Sequence, residues 1–205
     1  MATIKLTKTE LRSEQVRLGQ LQKYLPTLQL KKAMLQLEVG QAQAELEALN
    51  LRFKSQEDKV GAYCALFSDK LGFDLMTSVK VITVEKRFEN IAGVDIPFFE
   101  KVVFERASFI LFDAPVWLES AIDGVRTLLT LKEEIKIVLE KKKALEKELR
   151  EVSIRVNLFE KIMIPRAMQN IKKIKIFLSD QQLAAVSQAK VSKRKILMKN
   201  EEKTS

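Results

Sequence analysis

The sequence predicts a mainly α protein: a long antiparallel two-helix coiled coil, or helical hairpin, with a short β-hairpin in the middle segment. Two long stretches place apolar residues at alternating spacings of three and four. The 205 residues include only 6 glycines and 4 prolines, so helix breakers are few. We expect four segments: an N-terminal arm (1–67), a middle segment with the β-hairpin (68–114), a C-terminal arm (115–180) and a basic, partly disordered tail (181–205).

The N-terminal arm begins with Thr7 and Glu10, which have the spacing of a helix-capping box. A 3-4 repeat of sixteen positions then runs from residue 11 to residue 63, and Glu14, Lys32 and Gln56 are its only polar members. A seven-residue period sustained over this length predicts a left-handed supercoil against a partner helix.

The C-terminal arm carries a second seam from Leu128 to Met163, in which Lys142 is the single polar residue. Because each arm supplies the apolar stripe that the other must bury, pairing within one chain is the simplest assembly. Partner helices in another chain remain the alternative. We expect the Lys142 stem to lie along the partner helix, with its charge reaching water, Glu45 or Glu47.

Pro165 interrupts the C-terminal arm, where a proline inside a helix costs roughly 3 kcal/mol. After Met163 the seam continues at Ala167 and Ile171, and these successive four-residue steps predict a stutter that locally unwinds the supercoil. Antiparallel pairing would place Pro26 level with Pro165, so that both prolines bend one layer. Two independent, tolerated kinks are the alternative.

The middle segment is rich in β-branched and aromatic residues, as in SVKVITVEKRFENIAGVDIPFFEKVVFE at residues 78–105. We expect two antiparallel strands near 79–87 and 98–106, separated by the turn-forming NIAGVDIP. A lone hairpin is marginally stable, so its aromatic side chains should pack on the helices or on another subunit. These side chains are Phe88, Phe98, Phe99, Phe104 and Phe109.

The composition argues against catalysis by this chain alone. There is no histidine, and the one cysteine, Cys64, lies in an apolar context typical of a packed side chain. No phosphate-cradling GxxxxGK[ST] or GxGxxG motif occurs, so no cofactor and no metal are expected. No apolar run is long enough to cross a membrane and the N-terminus lacks a signal peptide, which indicates a soluble, cytosolic protein.

The net charge of +9 is concentrated near the C-terminus. Residues 1–120 hold sixteen basic and sixteen acidic residues, whereas residues 155–199 hold eleven basic residues against Glu160 and Asp180. This asymmetry suggests an acidic partner, and the candidates are nucleic acid, a membrane surface and an acidic protein bore. A solvated basic face is the alternative.

Two other classes of function fit parts of the sequence. The stretch AKVSKRKILMK, residues 189–199, is a candidate phosphate-contacting tail, but it contains no aromatic residue for base stacking. A coiled-coil tether or scaffold that dimerises in trans is the other alternative. Such a tether needs neither the prolines nor the strand-rich middle segment.

Three passages resemble the D subunit of the V-type and A-type rotary ATPases, which is the central-stalk subunit. They are RVN at 155–157 followed by Glu160 and IPR at 164–166, NIAGVDIP at 90–97, and LKKAMLQLE at 30–38. The likeness spans essentially the whole chain. Family members often carry a glycine before the Leu-Leu-Lys run, where this chain has Pro26 in LPTLQLKK.

The resemblance implies a non-catalytic rotor shaft that couples ATP hydrolysis or synthesis to proton or sodium transport. The free helix ends would enter the bore of a hexamer of catalytic A and regulatory B subunits. The F subunit of the central stalk would dock on the side, and the C or d subunit would link the lower end to the membrane ring. The protein would be cytoplasmic and peripheral to the inner membrane, with no direct membrane insertion and no nucleic acid bound.

The resemblance also implies which residues meet these partners. The candidates for contact with the hexamer bore are Arg155, Pro165, Arg166, Lys172, Lys173 and Lys175. The candidates for contact with the other stalk subunits are Phe88, Phe98 and Phe99.

Overall fold

The structure, a computed structural model, describes residues 5–62, 79–105, 115 and 117–204. As predicted, it is mainly helical, with a long helix pair and one short antiparallel hairpin in the middle. The elements are α1 (Lys8–Gly61), β1 (Val81–Ile91), β2 (Val94–Phe104), α2 (Leu118–Leu158), a π-helical turn (Phe159–Met163) and α3 (Ile164–Thr204).

The chain divides into two compact units, which are described separately below. The first unit comprises residues 1–30 and 153–205, and the second comprises residues 31–152. Helix α1 contributes to both units, and so does α2.

Helix α1 begins where the sequence predicts. The backbone N–H of Glu10 donates to the Thr7 hydroxyl oxygen at 3.2 Å, and this bond satisfies one of the donors left unpaired at a helix start. The threonine of the predicted capping box therefore caps the helix.

In the second unit the predicted seams are buried and face each other. Leu35 and Leu145 are fully buried within it. Lys31 Nζ lies 2.7 Å from Glu148 Oε1, whereas Lys142 Nζ lies 2.6 Å from Gln43 Oε1. From the first of these contacts to the second, the residue number rises on α1 and falls on α2. The two helices therefore run antiparallel, as predicted.

In the first unit the same two seams continue. Leu21 of α1 is buried, and so are Val156, Ala167 and Ile174 on the other side of the pair. Ile174 has no exposed surface at all. The predicted heptad positions therefore also form the core of this unit.

The irregularity at Pro165 is a single π-helical turn. The N–H of Ile164 donates to the carbonyl of Phe159, five residues back, and the turn ends just before the proline. The seam spacing explains it, since Phe159, Met163, Ala167 and Ile171 follow in four-residue steps that leave one extra residue to accommodate. The predicted stutter thus takes the form of a π turn.

The expectation that Pro26 lies level with Pro165 is wrong. Glu14 and Arg17 of α1 line the same groove as Ile162 and Arg166, which places Pro165 level with α1 near residue 14. Pro26 lies about 12 residues further along α1, or roughly 18 Å. The two prolines therefore lie in separate layers, because the helix pairing is shifted from the one inferred from the sequence.

The hairpin is longer and its turn tighter than the sequence predicts. The strands pair from Val81 with Phe104 to Ile91 with Val94, so the predicted bounds of 79–87 and 98–106 are wrong. Only Ala92 and Gly93 form the turn, with φ of 52° and 80°, and two positive φ values are typical of a type I′ hairpin turn. Most of NIAGVDIP is strand.

The residues that suggested a long loop instead brace this two-residue turn. The Asn90 carboxamide oxygen accepts from the Gly93 N–H at 3.0 Å, and its nitrogen donates to Asp95 Oδ1 at 2.7 Å. The side chain of Asn90 therefore links both strands across the turn.

The second unit covers one part of the hairpin and leaves another exposed. Ile96 is fully buried, and Phe98, Phe99 and Phe104 are half-buried. Phe88 is 66% exposed. Of the two expected arrangements, packing within the chain therefore holds for the aromatic side chains of β2 but not for Phe88, while Phe109 lies outside the described residues.

Candidate functional site

The predicted ring-contact residues form a basic arm on the first unit, comprising Arg155, Pro165, Arg166, Lys172, Lys173 and Lys175. All six side chains are exposed. Arg166 also lines the groove beside the π turn. The basic arm is therefore accessible to a partner along its length.

The groove of the first unit has a volume of about 600 Å³ and mixes polar and apolar walls. Glu14 and Asn170 are among its lining residues, and each is only 8% exposed. Arg17 Nη1 lies 3.9 Å from Glu14 Oε1. A polar layer thus interrupts the apolar seam at the level of the π turn.

Helix α3 continues beyond this groove with every side chain from residue 179 to residue 200 exposed. The exposed set includes Leu183, Val186 and Leu197. Ile174 is fully buried and Leu178 is half-buried, so the covered part of α3 ends near residue 178. An isolated helix of this length is marginally stable in water, and the exposed apolar side chains give this part of α3 a surface suited to binding a partner.

The second unit contains a junction between the hairpin and the helix pair, centred on Lys141. This lysine is only 7% exposed. Its Nζ donates to Glu45 Oε2 at 3.1 Å and lies 4.4 Å from the centroid of the Phe98 ring. A buried cation between a carboxylate and an aromatic face joins α2, α1 and β2 at one point.

Sequence reasoning missed Lys141 and identified its neighbour Lys142. The available signal was the run KKK at residues 141–143, because three consecutive lysines on a paired helix cannot all point to solvent. Spacing alone does not tell which of them is buried, since that depends on the position of the hairpin.

Lys142 lies as predicted with a half-buried stem, but its polar contacts differ from the predicted ones. Its Nζ donates to Gln43 Oε1 at 2.6 Å and lies 3.5 Å from Glu146 Oε1. Glu45 is engaged by Lys141, and Glu47 accepts a bond from the Gln43 amide at 2.6 Å. Glu45 and Glu47 were therefore the wrong partners for Lys142.

Two further lysines brace the hairpin. Lys86 of β1 donates to Glu140 Oε2 of α2 at 2.8 Å. At the turn, Lys31 Nζ lies 3.8 Å from the point where a Cβ on Gly93 would be, and the same ammonium pairs with Glu148. The hairpin is thus held to the helix pair at its middle by Lys86, and its tip lies close to Lys31.

One carboxyl near this junction has a perturbed pKa. Partial burial raises the pKa of Glu134 above its ordinary value of 4.5, and the nearby charge of Glu45 raises it further, whereas Arg52 opposes both effects. The acidic side chains here therefore repel each other at neutral pH.

The predicted stalk contacts differ in accessibility. Phe98 lies against Lys141 within its own chain, and Phe99 is half-buried. Phe88 presents most of its ring to solvent.

Among the described residues, no helix is both long enough and apolar enough to span a membrane.

Together, the fold and these surfaces define a class: a long paired-helix protein with a braced β-hairpin, whose basic and exposed faces are suited to binding other proteins. Residues 10–194 match the family of the ATP synthase D subunit. The chain therefore belongs to that family, as its resemblance predicted. Its V-type members are central-stalk subunits of rotary ATPases, which couple ATP turnover to ion transport.

Curated relatives match over nearly their full length. The V-type ATP synthase D subunit of Chlamydia abortus is 41% identical over 200 residues, covering 97% of this chain and 96% of the relative. The D subunit of Borreliella burgdorferi is 40% identical over 200 residues, covering 98% of both chains. That of Chlamydia trachomatis serovar L2 is 44% identical over 197 residues, covering 94% and 96%.

Proposed function

We propose that this chain is the non-catalytic rotor shaft of a V-type ATP synthase and that its basic arm turns inside the hexamer of A and B subunits. The observation that carries this proposal is the exposure of the arm. Its charged side chains are accessible, and α3 runs on beyond them with apolar side chains that the described chain does not cover.

A shaft inside a ring has to bind the ring weakly enough to keep turning. Exposed ion pairs are each worth only about 0–1 kcal/mol, so contacts from Arg166, Lys172, Lys173 and Lys175 to acidic or carbonyl-rich loops would be individually weak. Several weak contacts can hold the shaft in the bore while letting it step between positions. ATP chemistry would belong to the surrounding subunits.

The same shaft has to transmit torque. In the second unit the heptad seam supplies many small packing contacts, and ion pairs such as Lys31 with Glu148 reach between the two helices. The two sides of the shaft differ, so each catalytic subunit would meet a different face. Differential binding of these faces would couple shaft position to nucleotide state.

The other stalk subunits would meet the rest of the chain. Phe88 is the best placed of the predicted aromatic contacts, because most of its ring is exposed. We expect the F subunit and the C or d subunit as neighbours. The assembled protein would lie on the cytoplasmic side, peripheral to the inner membrane.

Charge reversal in the reconstituted complex tests this proposal. The triple variant Lys172→Glu, Lys173→Glu, Lys175→Glu should lower ATP hydrolysis by about tenfold, which corresponds to about 1.4 kcal/mol. The matched control is Lys132→Glu, Lys143→Glu, Lys147→Glu, which makes the same charge change at exposed positions of α2. The control should retain activity, and equal losses in both triples would contradict the proposal.

A further inference from the structure

The outer edge of strand β1 carries backbone groups that the hairpin itself does not pair. The residues that flank its two-residue turn, Ile91 and Val94, form a hydrogen-bonded pair, and every second pair along an antiparallel ladder is of this kind. By this alternation, the backbone N–H and C=O groups of Lys86, Phe88 and Asn90 point away from β2. Among the described residues, these groups have no other backbone partner. The outer edge of β1 is therefore open.

The opposite edge of the hairpin, on β2, is not open in the same way. Pro97 pairs with Phe88, so its backbone also points outward, but proline has no N–H to donate. Pro97 is moreover buried. Its position agrees with the alternation, because a proline that pointed inward would remove a hydrogen bond from the ladder. Of the two edges, that of β1 is the one able to accept a further strand.

Charged side chains commonly keep an exposed edge strand from pairing, and β1 carries two cations at this edge. Both are engaged within the chain. Lys86 Nζ lies 2.8 Å from Glu140 Oε2 of α2, and Arg87 forms an ion pair with Glu89 of the same strand. Phe88, between the two cations, is 66% exposed. The edge therefore presents an exposed aromatic ring between paired charges rather than a row of free lysines.

We propose that the outer edge of β1 pairs with the same edge of a second copy of this chain, so that two hairpins form one four-stranded antiparallel sheet. If the pairing is centred on Phe88, this residue lies opposite Phe88 of the second copy, and Lys86 lies opposite Asn90. Among antiparallel registers, this is the one that matches all three outward residues with one another. Every outward N–H and C=O of the three then gains a partner.

The same register also matches the charges, and this match identifies a second copy as the partner. Arg87 lies opposite Glu89 of the second copy and Glu89 lies opposite its Arg87, so two opposite-charge pairs flank the two-fold axis. The two Phe88 rings meet at that axis as a cross-strand aromatic pair, which stabilises a sheet. No like charges face each other between residues 86 and 90. A two-fold interface needs such a self-complementary surface.

The short paired stretch makes this association weak. Stable complexes bury about 800 Å² on each partner, which needs some 20–30 residues a side. Pairing over residues 86–90 falls short of this requirement. The dimer should therefore be reversible and form only as the concentration of the chain rises.

The pairing is a property of the free chain and goes beyond the proposed function. A stalk subunit that contacts Phe88 in the assembled complex would compete with the second copy for the same edge. Pairing would thus cover the open edge of β1 until the chain is assembled. The experiments below use the free, full-length chain, so their failure would leave the bore assignment unaffected.

Photo-cross-linking locates the contact between the two copies. A benzophenone amino acid replaces Phe88 and, in a control variant, Ile82, which is 61% exposed on the same strand but outside the paired stretch. Position 88 should join two copies with at least about tenfold higher yield than position 82, and its product should map to residues 86–90. Equal yields from the two positions, or a product that maps elsewhere, would overturn the proposal.

Analytical ultracentrifugation of two charge variants gives the sharpest test. Arg87→Glu and Glu89→Arg each place like charges opposite one another, so each variant alone should dimerise at least about tenfold more weakly than the unchanged chain. An equimolar mixture should restore the dimer, because each copy then carries the charges that complement the other. A change within one chain could not be repaired by mixing. An unchanged chain that stays monomeric at every concentration, or a mixture no better than the single variants, would overturn the proposal.

Discussion

The two units share one heptad pattern but differ in what surrounds it. In the second unit, lysines of α1, α2 and the hairpin reach acidic partners, and β2 covers part of the helix pair. In the first unit, the seam is interrupted by a π turn, a polar groove and a helix whose far end is exposed. The same apolar spacing therefore supports a braced pair in one unit and a pair with an open polar groove in the other.

The difference shows that a heptad seam alone does not determine how rigid a helix pair is. Rigidity depends on side chains beside the seam, such as Lys141 and Lys86, which connect elements that the seam does not join. In the first unit, by contrast, the repeat carries an extra residue at the π turn and a polar side chain at seam level, Glu14. The first unit has the adaptable surface and the second has the braced core.

The largest difference between the units should appear on truncating leucines. Leu145→Ala removes a fully buried seam side chain and should lower the free energy of unfolding by about 2–5 kcal/mol. Leu183→Ala, on the exposed part of α3, should change it by less than about 0.5 kcal/mol. Urea denaturation of the full chain measures both, and similar losses would mean that α3 is covered within the free protein.

The next largest effect concerns the adjacent lysines. Lys141→Ala leaves Glu45 without its cation and removes a buried stem from beside Phe98, so it should lower the unfolding free energy by about 1–3 kcal/mol. Lys142→Leu keeps the stem volume in the seam and should hold or raise thermal stability.

Thermal melts of these two variants distinguish a specific junction from a general effect of lysine removal. Coupled ATPase activity should survive Lys142→Leu. Equal destabilisation by both variants would show that Lys141 is no more important than its neighbour, and the braced junction would then be refuted.

A smaller effect should come from the hairpin turn. Gly93→Ala places a Cβ at a φ of 80° and should lower the unfolding free energy by about 1 kcal/mol. Ala92→Asn should instead raise it by a few tenths of a kcal/mol, because asparagine tolerates the positive φ of this turn better than alanine. Chemical denaturation measures both variants. Stabilisation by Gly93→Ala or destabilisation by Ala92→Asn would contradict the type I′ assignment.

The smallest effect should be the pH dependence at Glu134. Because its pKa is raised in the fold, the charged form is disfavoured, and stability declines as the pH rises from about 4.5 through the folded pKa. Glu134→Gln should therefore stabilise the protein at pH 7, and this advantage should disappear below pH 4.5. Denaturation midpoints of the variant and the unchanged protein, taken at pH 7 and below pH 4.5, measure this advantage. A difference that does not depend on pH would refute the raised pKa of Glu134.

Most of the helical architecture was predictable, because heptad spacing is a long-range repeat that few other structures satisfy. The seams follow from that repeat, the antiparallel direction follows from pairing within one chain, and the capped start follows from the spacing of Thr7 and Glu10; all three are present. The irregularity at Pro165 was also visible in the spacing. Its form as a π turn was not, because an extra residue can be absorbed in more than one way.

The hairpin geometry was less predictable. Asn90, Asp95 and Pro97 are typical turn formers, yet they lie in strands because the side chain of Asn90 braces a two-residue turn. The shifted pairing of the helices and the buried Lys141 depend on contacts between distant parts of the chain. Local sequence preference carries little information about such contacts.

The central claim is that the arm around the π turn works inside the catalytic ring, and Pro165→Ala tests it most directly. The substitution restores a backbone donor, so the free chain should melt at a higher temperature, with a gain of up to about 3 kcal/mol. A melting curve of the free chain is measured beside ATP hydrolysis by the reconstituted complex. Our account predicts a more stable chain with lower turnover, whereas a more stable chain with unchanged turnover would contradict it.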